Sequence, residues 1–148
     1  MPLSAKHATP VMRVVADTNI VVSGLLWKGN PRRVLDAARD GTIDLFTSAV
    51  LLTELEDVLN REKFAERLAS VEVSPHELVL GYAALASITQ PAGIEPVILA
   101  DPDDDAVLAC GVAAQVEIIV SGDNHLLGLS SYRDIRILTA AELIAGVT

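Results

Sequence analysis

Acidic residues stand directly after several apolar runs of the sequence. Asp17 follows the run 11–16, and Asp123 follows the run 117–120. A denser acidic group separates the run 94–99 from an alanine-rich segment, and it consists of Asp101, Asp103, Asp104 and Asp105. If these runs are parallel strands, the acids meet at the sheet edge where open α/β folds bind ligands. Carboxylate oxygens suit Mg²⁺ and Mn²⁺, so the pattern predicts a hard-cation site.

Each acid also has an ordinary structural interpretation. Aspartate is common at strand ends and helix starts, where it accepts hydrogen bonds from free N–H groups and suits the helix dipole. For Asp105 the helical facing favours a site, because Leu108, Ala109 and Val112 follow it at core-facing intervals. No Lys or Arg lies within one turn of Asp105 in the sequence, and a carboxylate at a buried edge needs a partner.

The sequence pattern does not determine the role of Glu54. In the helix predicted after Ser48, it falls on the border of the apolar stripe formed by Leu51, Leu55, Val58 and Leu59. A solvated helix face and a place in the acidic site remain equally open for it. If the acids do converge, a bound cation would supply an activated water and offset charge on a phosphate undergoing attack.

Apolar periodicity predicts strands that alternate with helices. Strands are predicted at 11–16, 43–47, 94–99, 117–120 and 134–138. Helices are predicted at 31–39, 49–60, 75–89 and 140–145, with a further amphipathic piece that ends at Leu68 and an alanine-rich helix that follows 101–105 and ends at Gln115. The alternation predicts an α/β fold with a central, mostly parallel sheet and helices on both faces. Residues 1–10 are expected to be a flexible leader, and 11–148 a single domain.

Composition and charge exclude several classes of protein. The chain has 148 residues, is 51% hydrophobic and carries a formal net charge of −9. This balance argues against holding nucleic acid by charge alone, since non-specific affinity comes from Lys and Arg, but it leaves nucleic acid open as a substrate. The single Cys110 excludes an internal disulfide and favours a reducing, cytoplasmic setting. The apolar runs are far shorter than the roughly 20 residues of a membrane helix.

The ordered motifs resemble the PIN-domain nucleases, and most of all the VapC-type ribonuclease toxins of bacterial type II toxin–antitoxin systems. The motifs are VADTN at 15–19, VSGLL at 22–26, Ser48 with Glu54, DPDDD at 101–105 with Leu108 and Ala109, and IVSGD at 119–123 with Leu126 and Leu127. The resemblance implies a PIN-like three-layer sandwich and an endoribonuclease that hydrolyses RNA phosphodiester bonds with Mg²⁺ or Mn²⁺. It also implies a homodimer and a cognate antitoxin protein as partner.

The resemblance assigns catalytic and metal-binding roles residue by residue. Three of the acidic positions fall on Asp17, Glu54 and Asp123. The remaining position is either Asp105, which spacing and facing favour, or Asp104, with Asp101 as support. The side chains expected to orient these carboxylates are Thr18, Asn19 and Ser121.

Other residues and functions remain open at this point. Lys28, Arg32 and Arg33 form a basic cluster that would contact RNA phosphates or lie on a solvated helix face. A receiver-like or phosphatase-like α/β domain also gathers aspartates at strand ends, but Asn19 stands where such a phosphatase needs its second Asp. A catalytically inactive PIN-like partner-binding module is the other alternative.

Overall fold

The computed structural model describes residues 11–91, 93 and 102–147. The expected leader 1–10, the strand predicted at 94–99, Asp101 and the side chain of Asp103 lie outside the described residues. The strands in chain order are β1 (Met12–Ala16), β2 (Ile43–Thr47), β3 (Ser87–Ile88), β4 (Ile118–Val120), β5 (Ser131–Tyr132) and β6 (Ile135–Leu138).

Helices connect most of these strands. They are α1 (Thr18–Leu26), α2 (Asn30–Arg39), α3 (Ala49–Leu59), a 3₁₀ turn (Glu62–Phe64), α4 (Ala65–Val71), α5 (Pro75–Leu85), α6 (Pro102–Ala114), α7 (Asn124–Leu129) and α8 (Ala140–Val147). Among the described residues, none of these helices combines the length and apolar character that crossing a membrane requires.

The strands form one sheet in the order β3-β2-β1-β4-β6-β5. Neighbouring strands are parallel except for β5 and β6, which are antiparallel. This confirms the predicted α/β fold with a mostly parallel central sheet. Since β1 and β4 are hydrogen-bonded neighbours, the residues that follow them are brought together at one sheet edge.

Apolar clusters cover both faces of the sheet. Val14 and Ala16 of β1 point into the cluster that includes residues of α1, α2, α5 and α8. Val15, between them, points to the opposite face and packs with residues of α6 and α7. Successive strand side chains alternate between faces, so a strand that is apolar on both sides must lie inside a three-layer sandwich. Cys110 is buried in the second cluster, and burial raises the pKa of its thiol to about 11.

Local signals define several helix starts. Ser48 caps α3 by accepting a hydrogen bond from the backbone N–H of Leu51 at 3.3 Å. Ser74 and Glu77 form a reciprocal capping box at the start of α5, with Pro75 in its first turn. Both starts were predicted from the sequence, because capping depends only on side chains a few positions apart.

Several elements differ from the sequence prediction. Helix α1 occupies residues 18–26, for which the sequence predicted neither helix nor strand. The helix predicted to reach Thr89 ends at Leu85, because Ala86 is extended and the next two residues pair with β2 as strand β3. The last predicted strand is one arm of a hairpin, in which Arg133 and Asp134 have positive φ angles of 48° and 66°. Two consecutive left-handed residues are typical of a tight hairpin turn.

The packing of α1 against α2 gives a test of this architecture. A Cβ atom at Gly24 would lie 2.8 Å from both Leu35 Cδ1 and the backbone oxygen of Pro31. We therefore expect Gly24→Ala to lower the free energy of unfolding by about 1–3 kcal/mol, because the helices must separate. The matched control is Gly81→Ala in α5, where a Cβ meets nothing within 4 Å.

The control should raise stability by up to about 1 kcal/mol, because alanine is the better helix former. Urea unfolding of the parent and both variants measures the difference. Equal stability of Gly24→Ala and Gly81→Ala would contradict the close approach of α1 and α2.

Candidate functional site

One pocket at the carboxyl edge of the sheet collects side chains from four parts of the chain. Its volume is about 170 Å³. The residues that line it are Asp17, Thr18, Asn19, Glu54, Val58, Arg61, Asp104 and Asp123. Four carboxylates and one guanidinium therefore face the same small space.

Strand order places the first two carboxylates. Asp17 directly follows β1, and its backbone N–H donates a hydrogen bond of 2.9 Å to the oxygen of Val120 at the end of β4. Asp123 lies three residues beyond Val120 and caps α7 by accepting hydrogen bonds from the N–H groups of His125, at 2.8 Å, and Leu126, at 3.2 Å. Asp123 thus combines its ordinary capping role with a place in the pocket.

Asp17 is buried and carries a perturbed carboxyl group. Only 6% of its surface is exposed. Burial raises the pKa of this carboxyl above its ordinary value, and the neighbouring Asp123 carboxylate raises it further. Ser121 acts in the opposite direction, because its hydroxyl donates a 2.7 Å hydrogen bond to Asp17 Oδ2. The backbone N–H groups of Thr18 and Asn19 also lower the pKa.

Neutral hydroxyl groups orient the carboxylates. The Ser121 hydroxyl that donates to Asp17 also accepts a hydrogen bond of 2.9 Å from the backbone N–H of Asp123. Thr18, at the start of α1, donates a short hydrogen bond to Glu54 Oε1 on α3. These contacts fix oxygen positions without adding positive charge to the pocket.

The structure places Asp104, and not Asp105, in the pocket. Asp104 lies in the first turn of α6 and is 5% exposed, whereas Asp105 is half-buried and does not line the pocket. The buried side of α6 runs from Asp104 through Val107, Leu108 and Gly111. Beyond its acidic start, α6 carries apolar residues on most of its surface. The stripe through Leu108 and Ala109, which favoured Asp105, was therefore as regular in the sequence as the stripe that continues from Asp104. The residue that faces the pocket is one position earlier than the stripe predicted.

Glu54 and Asn19 differ in their exposure. Glu54 is half-buried on the second turn of α3, with its carboxylate turned to the pocket through Thr18. Asn19 is exposed and lines the pocket rim.

The basic residues separate into different places. Arg32 donates hydrogen bonds to the backbone oxygens of Gly24, at 2.7 Å, and Leu25, at 3.2 Å, so its guanidinium caps the end of α1. Lys28 is exposed beyond that helix end, and Arg33 lines a different pocket between α2 and α8. Arg61, just after α3, is the basic residue beside the carboxylates. Its position depends on how α3 packs, which its sequence neighbours do not reveal.

His125, which the sequence analysis did not assign to the site, lies close to two of the carboxylates. Its Nδ1 atom is 3.7 Å from Asp104 Oδ2 and 3.8 Å from Asp123 Oδ1. The only sequence signal was its position two residues after Asp123, because the contact with Asp104 joins residues from two helices.

The donor set fits a divalent cation. Asp17, Glu54, Asp104 and Asp123 supply oxygen ligands in one space, and Arg61 is the one cationic side chain among the described residues that line it. Four carboxylates this close repel one another, so a cation between them removes a cost as well as forming bonds. The oxygen chemistry favours a hard ion such as Mg²⁺ or Mn²⁺.

Comparison with known proteins gives one family match and one similar solved structure. Residues 13–125 match the family model described as PIN domain. Among solved structures, the chain is similar to the PIN domain of T. brucei RRP44, with 13% sequence identity and a TM-score of 0.47; the match covers 92% of this chain and 80% of that chain. No curated protein matches the sequence.

The buried charge on Asp17 gives a stability test. Since the pKa of Asp17 is raised in the folded state, the contribution of this carboxyl to the stability of the metal-free parent is lost as the pH rises through the folded-state pKa. We expect Asp17→Asn without divalent cation to be more stable than the parent at neutral pH, with the advantage shrinking as the pH falls. Thermal unfolding across pH, with chelator present, measures this.

The control is Asp44→Asn, which changes an exposed carboxylate on β2. This variant should follow the parent at every pH. If Asp17→Asn and Asp44→Asn showed the same pH dependence relative to the parent, the Asp17 carboxyl would not be under strain in the metal-free fold.

Proposed function

The chain belongs to the PIN-domain family, whose members are generally metal-dependent nucleases, and we propose that it is an endoribonuclease that uses Mg²⁺ or Mn²⁺. The observation that carries this proposal is the pocket in which Asp17, Glu54, Asp104 and Asp123 come together. RNA is the proposed substrate because PIN nucleases act on RNA.

The four carboxylates have distinct parts in the proposed reaction. Asp17 and Asp104 are buried and fixed by their elements, so they would hold the cation at a defined place. Glu54 and Asp123 are more exposed and would face the water and phosphate side of the pocket. A divalent cation supplies a nucleophile at neutral pH and offsets charge on the phosphoryl group during in-line attack.

The hydroxyl and amide groups would position rather than react. Ser121 holds the Asp17 carboxylate and is itself held by the backbone of Asp123. Thr18 holds Glu54, and Asn19 stands at the rim, where its side-chain amide would meet the RNA. Such contacts keep the ligand oxygens in place when the cation arrives, and losing them commonly costs about 10–100-fold in affinity or activity.

Phosphate contacts are proposed for the exposed basic residues. Arg61 lines the pocket and is the nearest to the reaction, while Lys28 is exposed beyond the end of α1. Arg33 remains a candidate from the sequence, and Arg32 would act through its cap on α1. Since four carboxylates repel phosphate, RNA binding should depend on both the cation and these positive side chains.

We further propose a toxin role for this protein. The ordered motifs similar to VapC-type toxins support a ribonuclease toxin that acts in the cytoplasm as a homodimer, is blocked by a cognate antitoxin, and is built from one domain over 11–148. A small neighbouring open reading frame that relieves growth arrest on co-expression would support this role. Harmless induction of active enzyme would favour RNA processing instead.

Cleavage of a labelled RNA tests the reaction and the third acidic position together. With Mn²⁺ present, we expect Asp104→Asn to lower the rate at least about 100-fold, as expected when a preorganised charge at the reacting centre is lost. Asp105→Asn, one residue away and outside the pocket, should remain close to the parent.

Other results of this cleavage assay would revise either the third acidic position or the catalytic role of the pocket. Loss of cleavage in Asp105→Asn alone would move the third position to Asp105. Cleavage at equal rates by the parent and both variants would contradict catalysis at this pocket, and absence of cleavage by the parent would favour an inactive partner-binding module.

The role of Arg61 is tested by the binding of a non-cleavable RNA analogue to the metal-loaded protein, with Mn²⁺ present. We expect Arg61→Ala to weaken binding and to reduce the slope of log affinity against log salt by about 1, because one phosphate contact is lost. Arg33→Ala is the comparison, since Arg33 lies in the pocket between α2 and α8. A larger effect from Arg33→Ala would place the RNA on the other side of the domain.

A further inference from the structure

A histidine side chain stands at the edge of the carboxylate pocket. The His125 side chain is 57% exposed, and its Nδ1 atom faces Asp104 Oδ2 at 3.7 Å and Asp123 Oδ1 at 3.8 Å. One ligand atom from each of these three residues lies within 4.8 Å of the other two. The cluster therefore joins a nitrogen donor to two carboxylates that already belong to the pocket.

The backbone fixes His125 in this place. Its N–H donates a 2.8 Å hydrogen bond to Asp123 Oδ1, so the first turn of α7 is closed by the same carboxylate that faces the imidazole. Asp104 is held by α6, which packs against β1, β2 and β4. The distance between His125 and Asp104 is thus set by two elements docked on the same sheet.

The spacing agrees with one shared ion. Two ligand atoms bound at about 2.1 Å in an octahedral site lie about 3.0 Å apart when adjacent and about 4.2 Å apart when opposite. The separations of 3.7 Å and 3.8 Å from Nδ1 lie between these limits. An exposed imidazole reaches either arrangement by a small rotation of its side chain.

We propose that His125 is a nitrogen ligand which, with Asp104 and Asp123, makes the cation site of this chain prefer Mn²⁺ to Mg²⁺. This inference rests on the proposed function, because it concerns the cation of the same pocket. Mg²⁺ is a hard ion that takes oxygen ligands and water, whereas Mn²⁺ belongs to the first-row transition series, whose ions also accept nitrogen ligands. Carboxylate oxygens suit both ions, so the nitrogen donor is the feature of this pocket that would separate them.

An ordinary ion pair is the competing explanation, and it predicts the opposite sign. If His125 only paired as a cation with Asp104 and Asp123, its removal would take positive charge away from the pocket, and both metal ions would bind equally well or better. If His125 is a ligand, its removal weakens Mn²⁺ binding specifically.

Calorimetric titration of the metal-free protein with Mn²⁺ and with Mg²⁺ tests the proposal. For His125→Ala we expect Mn²⁺ affinity to fall on the order of tenfold or more, as for a lost group of a metal site, while Mg²⁺ affinity stays close to that of the parent. For His125→Asp we expect Mg²⁺ affinity to rise relative to Mn²⁺, because a hard oxygen replaces the nitrogen. The measured quantity is the ratio of the two affinities, which a general change in charge leaves unaltered.

His76→Ala is the matched control. His76 is also an exposed histidine near a carboxylate, with Nδ1 at 3.8 Å from Glu56 Oε2, but it does not line the pocket. Its removal should change neither affinity. Thermal unfolding without metal checks that each variant keeps the stability of the parent apart from the change in charge.

The outcomes separate this inference from the proposed function. If the parent binds Mn²⁺, Asp104→Asn abolishes binding and His125→Ala leaves the Mn²⁺ to Mg²⁺ ratio unchanged, the His125 proposal is overturned and the metal-dependent site stands. If the parent binds neither ion, the proposed function fails with it. A ratio of Mn²⁺ affinity to Mg²⁺ affinity that falls in both His125→Ala and His125→Asp is the result that we expect.

Discussion

Mutual repulsion among four carboxylates is the constraint on which the site depends. Asp17 and Asp104 are almost fully buried, and Glu54 and Asp123 face the same pocket, so the metal-free fold must hold like charges together against their own field. The pKa of Asp17 is raised mainly by burial, and repulsion from the Asp123 carboxylate raises it further. The cost is borne by the apolar layers on both sides of the sheet, which pack whether or not a cation is present.

The carboxylates are held in place by groups that leave their negative charge available for a cation. Ser121 and Thr18 contribute hydroxyl donors, which fix oxygen atoms but leave the negative charge in place. Lysine or arginine donors would have neutralised the site and removed its affinity for a cation. Arg61 also lines the pocket, and we propose that its guanidinium contacts the phosphate of the RNA.

Strand order turns distant residues into neighbours. Because β1 lies beside β4, the chain after Ala16 and the chain after Val120 emerge at the same edge, and Asp17 and Asp123 follow from that pairing. Helix α6 packs against β1 and brings Asp104 to the same edge of the sheet as Asp17 and Asp123. His125 enters the site for the same reason, since its own helix begins at Asp123.

The sequence by itself determined the alternation of strands and helices, the helix caps at Ser48 and Ser74, and the presence of acids just after β1 and β4. These features depend on periodicity and on residues a few positions apart, which the sequence contains directly. Only the tertiary structure decided that Asp104 faces the pocket, that β3 pairs with β2, and that Thr18 meets Glu54. In a helix such as α6, which is almost wholly apolar beyond its first turn, hydrophobic periodicity does not determine which of two consecutive residues faces the protein interior. The rotation is then chosen by packing against strands far away in the chain.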